Sequence, residues 1–192
     1  MRTLFLLRHS MTIANEERLY CGSTDLPLSA EGRRLASQMK RERPLPDGDL
    51  YATSGMARTN ETLALLTGKA PDLIIEALRE MDFGRFEMLS YDSLKDDPDY
   101  VRWIEDDTGT VACPGGESSS AYRERVFEGG RILLEKKWSE AFVVCHGGVI
   151  VSLMQAWFPS ESRSFYEWQP GPCRGWRIAF DGTSAPVGFM AI

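Results

Sequence analysis

The chain has two histidines, and their positions are the first indication of chemistry. His9 and His146 lie near opposite ends of the sequence, and each directly follows a short apolar segment of the kind that forms a buried strand. A neutral imidazole can attack phosphorus or exchange protons near neutral pH. A single histidine in such a place is more often a packed or surface side chain. The pair, and not either member alone, therefore indicates function.

Arginine and glutamate side chains follow the other apolar segments. Arg8 directly precedes the first histidine, Arg58 lies beyond the second apolar segment, and Glu80 lies beyond the third. Guanidinium groups bind phosphate oxygens through paired hydrogen bonds, and a carboxylic acid can protonate a leaving oxygen. The set predicts phosphoryl transfer, with His9 as the nucleophile and Glu80 as the proton-transfer group. The predicted phosphate ligands are Arg8, Arg58 and His146.

Two of these assignments have structural alternatives. Arg58 could be a solvated helix arginine paired with Glu61 or Glu42, and Glu80 could lie in an exposed turn. If Ser54 caps the following helix, Arg58 lies in its first or second turn, near the positive end of the helix dipole. That place favours an anion, so both interpretations stay open at this point.

Apolar runs alternate with helical patterns along the chain. Candidate strands cover residues 3–7, 49–53, 72–78, 141–145 and 176–180, the last of them as an edge or antiparallel strand. Candidate helices cover residues 29–43, 56–67, 118–137 with a kink at its two glycines, and 149–157. The alternation predicts an α/β fold, a three-layer sandwich with a central, mostly parallel sheet and helices on both faces. Loops at the carboxyl edge of such a sheet lead into helix N-termini that favour anions.

Residues from about 81 to 116 do not fit this alternation. They include five aromatic side chains, and between residues 81 and 107 there are nine acidic and three basic residues. We interpret the segment as a small cap insertion over one end of the sheet. A length of 192 residues with 43% hydrophobic residues is enough for one buried core. We therefore expect a single domain over residues 1–192.

Composition argues against several classes of partner. A formal net charge of −6 does not favour a broad surface for nucleic acid or an anionic membrane. Since no stretch approaches the roughly 18 apolar residues of a membrane span, we expect a cytoplasmic protein. The four cysteines form no C-x-x-C pair, which favours reduced thiols over a zinc site. We expect no metal and no cofactor; the oligomeric state stays open, with a homodimer as one option.

Five segments of the sequence carry recognisable motifs. They are LLRHS followed by Asn15, CGSTDLPLSAEG, TSGMARTNETL, LREMDFG and VVCHGG. In order and spacing they resemble the histidine phosphatase superfamily, also called the phosphoglycerate mutase-like family, over nearly the whole chain. The resemblance implies a covalent phosphohistidine at His9, formed without a metal, and Glu80 as the group that protonates the leaving oxygen and then activates water. It also implies a phosphate pocket made of Arg8, Asn15, Arg58, His146 and Gly147.

Two positions depart from the family pattern, and one pair of motifs is most similar to a particular subgroup of the family. Ser10 stands where the family usually has glycine and could crowd the nucleophile loop; Met88 stands after Glu87 where glycine is commoner. Within the family, LREMDFG together with PGGES is most similar to the α-ribazole-5′-phosphate phosphatases of cobalamin synthesis.

The acidic, aromatic insertion bears on the substrate. An acidic cover would repel a substrate with additional carboxylates, so we expect a phosphomonoester with a neutral aromatic or sugar-like body. Equally, the acids could form a solvated face. Two other functions stay open: a mutase that returns the phosphoryl group to a second substrate oxygen, and a catalytically silent protein that binds a phosphorylated ligand. The short insertion with few cations favours hydrolysis over the mutase reaction.

Overall fold

A mixed sheet of six strands organises the fold of the computed structural model, which describes residues 1–181 and 185–192. The strands are β1 (Arg2–Arg8), β2 (Leu50–Thr53), β3 (Leu73–Ile74), β4 (Glu140–Cys145), β5 (Gly175–Phe180) and β6 (Pro186–Ala191). Their order across the sheet is β3-β2-β4-β1-β5-β6. The first four strands of this order are parallel, whereas β5 is antiparallel to β1 and β6 is antiparallel to β5. The predicted α/β fold with a mostly parallel sheet is confirmed.

Helices surround this sheet. They are α1 (Ile13–Glu16), α2 (Ala30–Glu42), α3 (Ala57–Thr67), α4 (Tyr91–Leu94), α5 (Pro98–Ile104), α6 (Ser119–Glu135), α7 (Gly147–Trp157) and α8 (Phe165–Trp168). Serine side chains cap two of the predicted helices: Ser29 accepts from the Gly32 N–H, and Ser118 accepts from the Ala121 N–H. In the described part of the chain, no helix has both the length and the apolar character to cross a membrane.

Alternate residues of β1 enter separate core clusters. Phe5 and Leu7 belong to the cluster that includes residues of α2 and α3, whereas Leu4 and Leu6 belong to the cluster that includes residues of α6 and α7. Successive side chains of a strand point to opposite faces of the sheet. The sheet is therefore covered on both faces, which is why β1 is apolar at successive positions.

The third strand is shorter than the prediction over residues 72–78. Only Leu73–Ile74 pair with β2, and a 3₁₀-helix (Glu76–Leu78) follows. The buried Leu78 packs against α6 at Gly129, where an added Cβ would lie 2.6 Å from a Leu78 methyl carbon. The apolar residues at the end of this segment thus pack under α6. That helix is continuous through Gly129 and Gly130, and the two glycines allow close packing, while the kink expected there stays a prediction.

The segment predicted as an insertion contains a 3₁₀-helix (Gly84–Phe86), α4 and α5. Its core is aromatic: Tyr100 is 1% exposed and contacts the rings of Phe86 and Trp103. Several of its acids have local structural partners. Asp97, for example, caps α5 and pairs with Arg85 at 3.0 Å.

Sequence patterns did not predict β6, which lies at the edge of the sheet outside β5. Pro186 and Gly188 interrupt the alternation that would indicate a strand. Phe189 packs this strand against the core, since its ring contacts those of Trp168 and Trp176.

Candidate active site

The two histidines meet at the carboxyl edge of the sheet. β1 and β4 are adjacent and parallel, and Arg8 is in register with Cys145, so the residues that follow them emerge side by side. The ring centroids of His9 and His146 are 5.2 Å apart at an interplanar angle of 65°. The topology thus brings the two predicted imidazoles together.

His9 is a buried imidazole with one free ring nitrogen. Its Nδ1–H donates to the carbonyl oxygen of Ser10 at 2.5 Å, which leaves a lone pair on Nε2. Burial, followed by the positive charge of Arg58, lowers the pKa of His9 to about 3. The ring is therefore neutral near pH 7, and Nε2 can act as a nucleophile toward phosphorus.

Ser10 fits into the nucleophile loop through hydrogen bonds. Its hydroxyl donates to the carbonyl oxygen of Gly32 at 2.7 Å, and its backbone N–H donates to the hydroxyl of Thr62 at 2.9 Å. Both partners are on helices α2 and α3. The hydroxyl that replaces the family's usual glycine thus joins the loop to these helices.

Arg58 is fully within the fold. It is the second residue of α3 and so lies in the first turn, as expected, although the N-cap is Met56 and not Ser54. Arg58 is 1% exposed, and Glu61 pairs with Arg33 instead at 2.9 Å. The alternative of a solvated helix arginine paired with Glu61 is therefore excluded.

Three hydrogen bonds fix the Arg58 guanidinium. The two terminal nitrogens donate to the carbonyl oxygens of Thr24 at 2.9 Å and Gly22 at 2.8 Å, and Nε donates to His146 Nδ1 at 3.3 Å. Burial lowers the pKa of Arg58. A guanidinium has five N–H groups, so two stay available for an anion.

A directional chain of hydrogen bonds sets the tautomer of His146. Because Arg58 donates to Nδ1, the proton of the neutral ring is on Nε2, which contacts the Ser54 hydroxyl at 2.8 Å. Thr59 donates its hydroxyl proton to the carbonyl oxygen of Met56, so Ser54 donates to Thr59 at 3.1 Å. Burial and then Arg58 hold the pKa of His146 well below its usual value. Donation to a phosphate oxygen would require a proton on Nδ1, which a neighbouring anion favours.

Arg8 has an unused donor. One terminal nitrogen donates to the carbonyl oxygen of Pro170 at 2.9 Å, while the buried Nε has no partner among the residues that the structure describes. Burial lowers the pKa of Arg8, and Glu80 opposes that effect. A buried N–H without an acceptor is costly, and a bound phosphate oxygen would satisfy it.

The helix after the second histidine begins two residues before its predicted start at 149. His146 is the N-cap of α7, and Gly147 and Gly148 form its first turn. A Cβ on Gly147 would lie 3.4 Å from the Arg8 guanidinium carbon and 2.8 Å from Gln169 Nε2. The glycine thus lets Arg8 approach a helix N-terminus, which favours a shared anion.

Glu80 is anchored and is not part of an exposed turn. Oε1 accepts from the Tyr122 hydroxyl at 2.6 Å and from the Met81 N–H at 3.1 Å, and Oε2 accepts from the Gly148 N–H at 3.0 Å. Arg125 also donates to the carbonyl oxygen of Glu80 at 3.2 Å. The contact with Gly148 places this carboxylate beside the first turn of α7, which follows His146.

The Asn15 side chain bonds within its own turn and not to the other predicted phosphate ligands. Its amide oxygen accepts from the N–H of Thr12 at 2.9 Å and from the Thr12 hydroxyl at 3.1 Å, which caps α1. These bonds do not involve the other predicted pocket residues. Phosphate binding by Asn15 stays a prediction.

Glu87 supports the site from the insertion, and sequence reasoning assigned it no role. Its carboxylate accepts from the N–H groups of Gly22 at 2.9 Å and Thr24 at 3.2 Å, and the carbonyl groups of these two residues hold Arg58. The next residue, Met88, has a φ of 59°, the left-handed conformation that glycine adopts more readily. Met88 thus occupies a turn directly after the residue that supports the Arg58 loop.

A cavity of about 480 Å³ lies beside Glu80. Its described wall includes Tyr20, Phe83 and Trp103, and its charged lining residues there are Glu80 and Arg123. None of the nine acids counted between residues 81 and 107 is among those lining residues. These acids therefore do not line this cavity, and their repulsion of carboxylated substrates stays a prediction.

The chain is similar to known proteins over most of its length. The profile of the histidine phosphatase superfamily (branch 1) matches residues 4–188. A relative from Salmonella paratyphi C (strain RKS4594), named "Probable phosphoglycerate mutase GpmB", is 32% identical over 160 residues, which are 79% of this chain and 74% of the relative.

Two solved structures are similar over nearly the whole chain. The alpha-ribazole phosphatase from Shigella flexneri has a TM-score of 0.84 and 25% identity, with 96% of this chain and 93% of that chain covered. The phosphoglycerate mutase from Thermus thermophilus has a TM-score of 0.70 and 34% identity, with 99% of each chain covered. From the extent of the family match and of these similarities, we conclude that the chain belongs to the histidine phosphatase superfamily.

Proposed function

We propose that this chain is a phosphomonoesterase that transfers a phosphoryl group from its substrate to His9 and then to water. The observation that carries the proposal is the neutral His9 ring, 5.2 Å from His146 between centroids, whose Nε2 lone pair has no hydrogen-bond partner among the described residues. Arg8 and Arg58 supply cationic donors for the phosphate oxygens, including the unpartnered Arg8 Nε. His9 is the protein nucleophile of the first step, and water is the nucleophile of the second.

The proposed reaction has two steps. In the first, His9 Nε2 bonds to phosphorus as the bond from phosphorus to the leaving oxygen breaks, and Glu80 gives its proton to that oxygen. In the second, Glu80 takes a proton from water, the water oxygen bonds to phosphorus, and the bond from phosphorus to nitrogen breaks. Both guanidinium groups and a protonated His146 stabilise the charge on the transferring group.

For the substrate, we propose a phosphomonoester with a neutral aromatic or sugar-like body. The support is the aromatic wall of the cavity beside Glu80, which includes Tyr20, Phe83 and Trp103. α-Ribazole-5′-phosphate is the specific candidate, in line with the name of the similar Shigella flexneri protein.

The second candidate is a phosphoglycerate mutase. The Salmonella relative and the Thermus thermophilus structure carry that name, which is a specific reason to test it. Phosphoglycerate has a carboxylate that needs a cation. In the described lining of the cavity Arg123 is the one basic side chain, and Glu80 faces the same space. This balance favours a neutral substrate body.

One experiment separates the two candidates. Phosphate release and isomer formation would be measured with α-ribazole-5′-phosphate, a simple aryl phosphate and 3-phosphoglycerate, with His9→Asn as the background control. We expect phosphate release, with kcat/KM highest for the ribazole ester. Isomerisation of 3-phosphoglycerate with little phosphate release would contradict the proposal.

A further inference from the structure

Tyr122 contacts Glu80 inside the fold, and the reaction described above does not use it. The side chain lies near the start of α6, is 6% exposed, and donates its hydroxyl proton to Glu80 Oε1 at 2.6 Å. One turn later Arg125 donates to the carbonyl oxygens of Ala77 at 3.0 Å and Glu80 at 3.2 Å. Helix α6 thus holds both the backbone and the carboxylate of Glu80.

The lone-pair positions of this carboxylate are not equally open. Oε1 accepts from the Tyr122 hydroxyl and from the Met81 N–H, which together fill its two positions. Oε2 accepts from the Gly148 N–H and has a second position that no described protein group occupies. A proton exchanged with substrate or water would therefore be held on Oε2.

We propose that Tyr122 is a positioning residue that confines the transferable proton of Glu80 to Oε2. The inference rests on the proposed hydrolysis through His9. The same oxygen would give its proton to the leaving oxygen in the first step and accept a proton from the attacking water in the second. Tyr122 keeps its own proton throughout and donates to Oε1 in both steps.

The environment of Tyr122 suits a constant donor. Burial, and then the charge of Glu80, raise the pKa of the Tyr122 hydroxyl well above its usual value. The hydroxyl therefore does not compete with the substrate for the proton. Tyr122 and Glu80 both line the cavity, so this hydrogen bond lies at the wall of the space proposed for the leaving group.

Tyr122→Phe tests the inference, because it removes the hydroxyl and keeps the ring. The matched control is Tyr51→Phe: Tyr51 is also 6% exposed, and its hydroxyl accepts from the Gly48 N–H at 2.9 Å. kcat/KM would be measured for aryl phosphates whose leaving groups differ in acidity. We expect Tyr122→Phe to lose about tenfold for the poorest leaving group and less than about twofold for the best. Tyr51→Phe should match the wild-type dependence.

A second measurement requires no turnover. The protonation of Glu80 would be followed by carboxyl ¹³C NMR as a function of pH in the wild type and both variants. We expect the midpoint to move to higher pH in Tyr122→Phe alone, because a carboxylate that loses a donor holds its proton more tightly. Equal slowing for all leaving groups, or an unmoved midpoint, would overturn the role of Tyr122. If the wild type released no phosphate, the proposed function itself would fail.

Discussion

The proposed phosphate pocket and the cavity beside Glu80 are built from different interactions. In the pocket, buried polar groups are joined by hydrogen bonds between distant elements, as where His146 lies between Ser54 and Arg58. In the cavity wall, aromatic rings meet by their edges, with centroids 6.0 Å apart for Phe83 and Trp103. Hydrogen bonds demand specific groups, whereas ring contacts depend mainly on shape and area. We infer that the pocket sets the reaction and the cavity sets the substrate.

Replacing His9 should have the largest effect. His9→Asn removes the proposed nucleophile, so kcat for phosphate release should fall by at least roughly 10⁴-fold. The reference is His146→Asn, which leaves the nucleophile in place and should fall less. The measurement is phosphate release from an aryl phosphate under saturating conditions. A His9→Asn variant that retains a tenth of wild-type activity would place the nucleophile elsewhere.

Replacing Glu80 should have a smaller effect that depends on the leaving group. Glu80→Gln keeps the shape and removes the acid, so poor leaving groups should react about 10² to 10³-fold more slowly and good ones only a few-fold more slowly. Steady-state kinetics over an aryl phosphate series measures this dependence. Glu76→Gln is the control, since Glu76 is exposed in the same segment and pairs with Arg79 at 3.3 Å. Uniform slowing for every leaving group would remove Glu80 from the acid role.

A change in the cavity wall should affect substrate choice and leave the chemistry intact. Trp103→Leu should raise KM for an aromatic phosphomonoester by up to about tenfold, because one or two ring contacts with the substrate contribute about that much to binding. Kinetics with a small aliphatic phosphomonoester should show little change. Tyr91→Leu, which alters an aromatic side chain of the insertion that is 60% exposed, serves as control. If Trp103→Leu lowered kcat equally for both substrates, the separation of pocket and cavity would be wrong.

Acid should destabilise the pocket. Below its ordinary pKa of 6.5, the His9 ring binds a proton in the unfolded chain, whereas in the folded chain it does so only near its pKa of about 3. The free energy of unfolding is therefore greatest above pH 6.5 and decreases as the pH falls through that window, by roughly 1 kcal/mol per pH unit for this one group.

Denaturant unfolding of the wild type and His9→Asn at pH 6 and pH 5 measures this contribution. We expect a smaller loss of stability in His9→Asn, while Trp103→Leu should keep the wild-type slope. Identical slopes for the wild type and His9→Asn would show that His9 titrates normally in the folded chain.

The sequence was sufficient to predict that the two histidines meet, because parallel topology determines where strand ends go. Residues that follow β1 and β4 must emerge at the same edge, so His9 and His146 could be paired without coordinates. The two-residue β3 could not be predicted in this way. The residues after it are apolar because Leu78 packs under α6, and a short apolar run does not separate a strand from such a segment.

The residues that support the pocket could not be predicted from the sequence either. Tyr122 contacts Glu80 because of the way α6 packs. Glu87 contacts the Gly22 loop because of the way the insertion packs. Neither residue lies in a periodic pattern that indicates its partner. The cavity wall presents the same difficulty: the composition of the insertion does not show which of its side chains line the cavity, and those that do include Phe83 and Trp103.

The most direct test of the account is to locate the phosphoryl group during turnover. The wild-type protein would be mixed with a phosphomonoester labelled in its phosphate group, quenched within milliseconds in base to preserve phosphohistidine, digested, and mapped by mass spectrometry. The account predicts one labelled peptide with the group on His9. Steady release of phosphate with no label on the protein, or label on a residue other than His9, would contradict it.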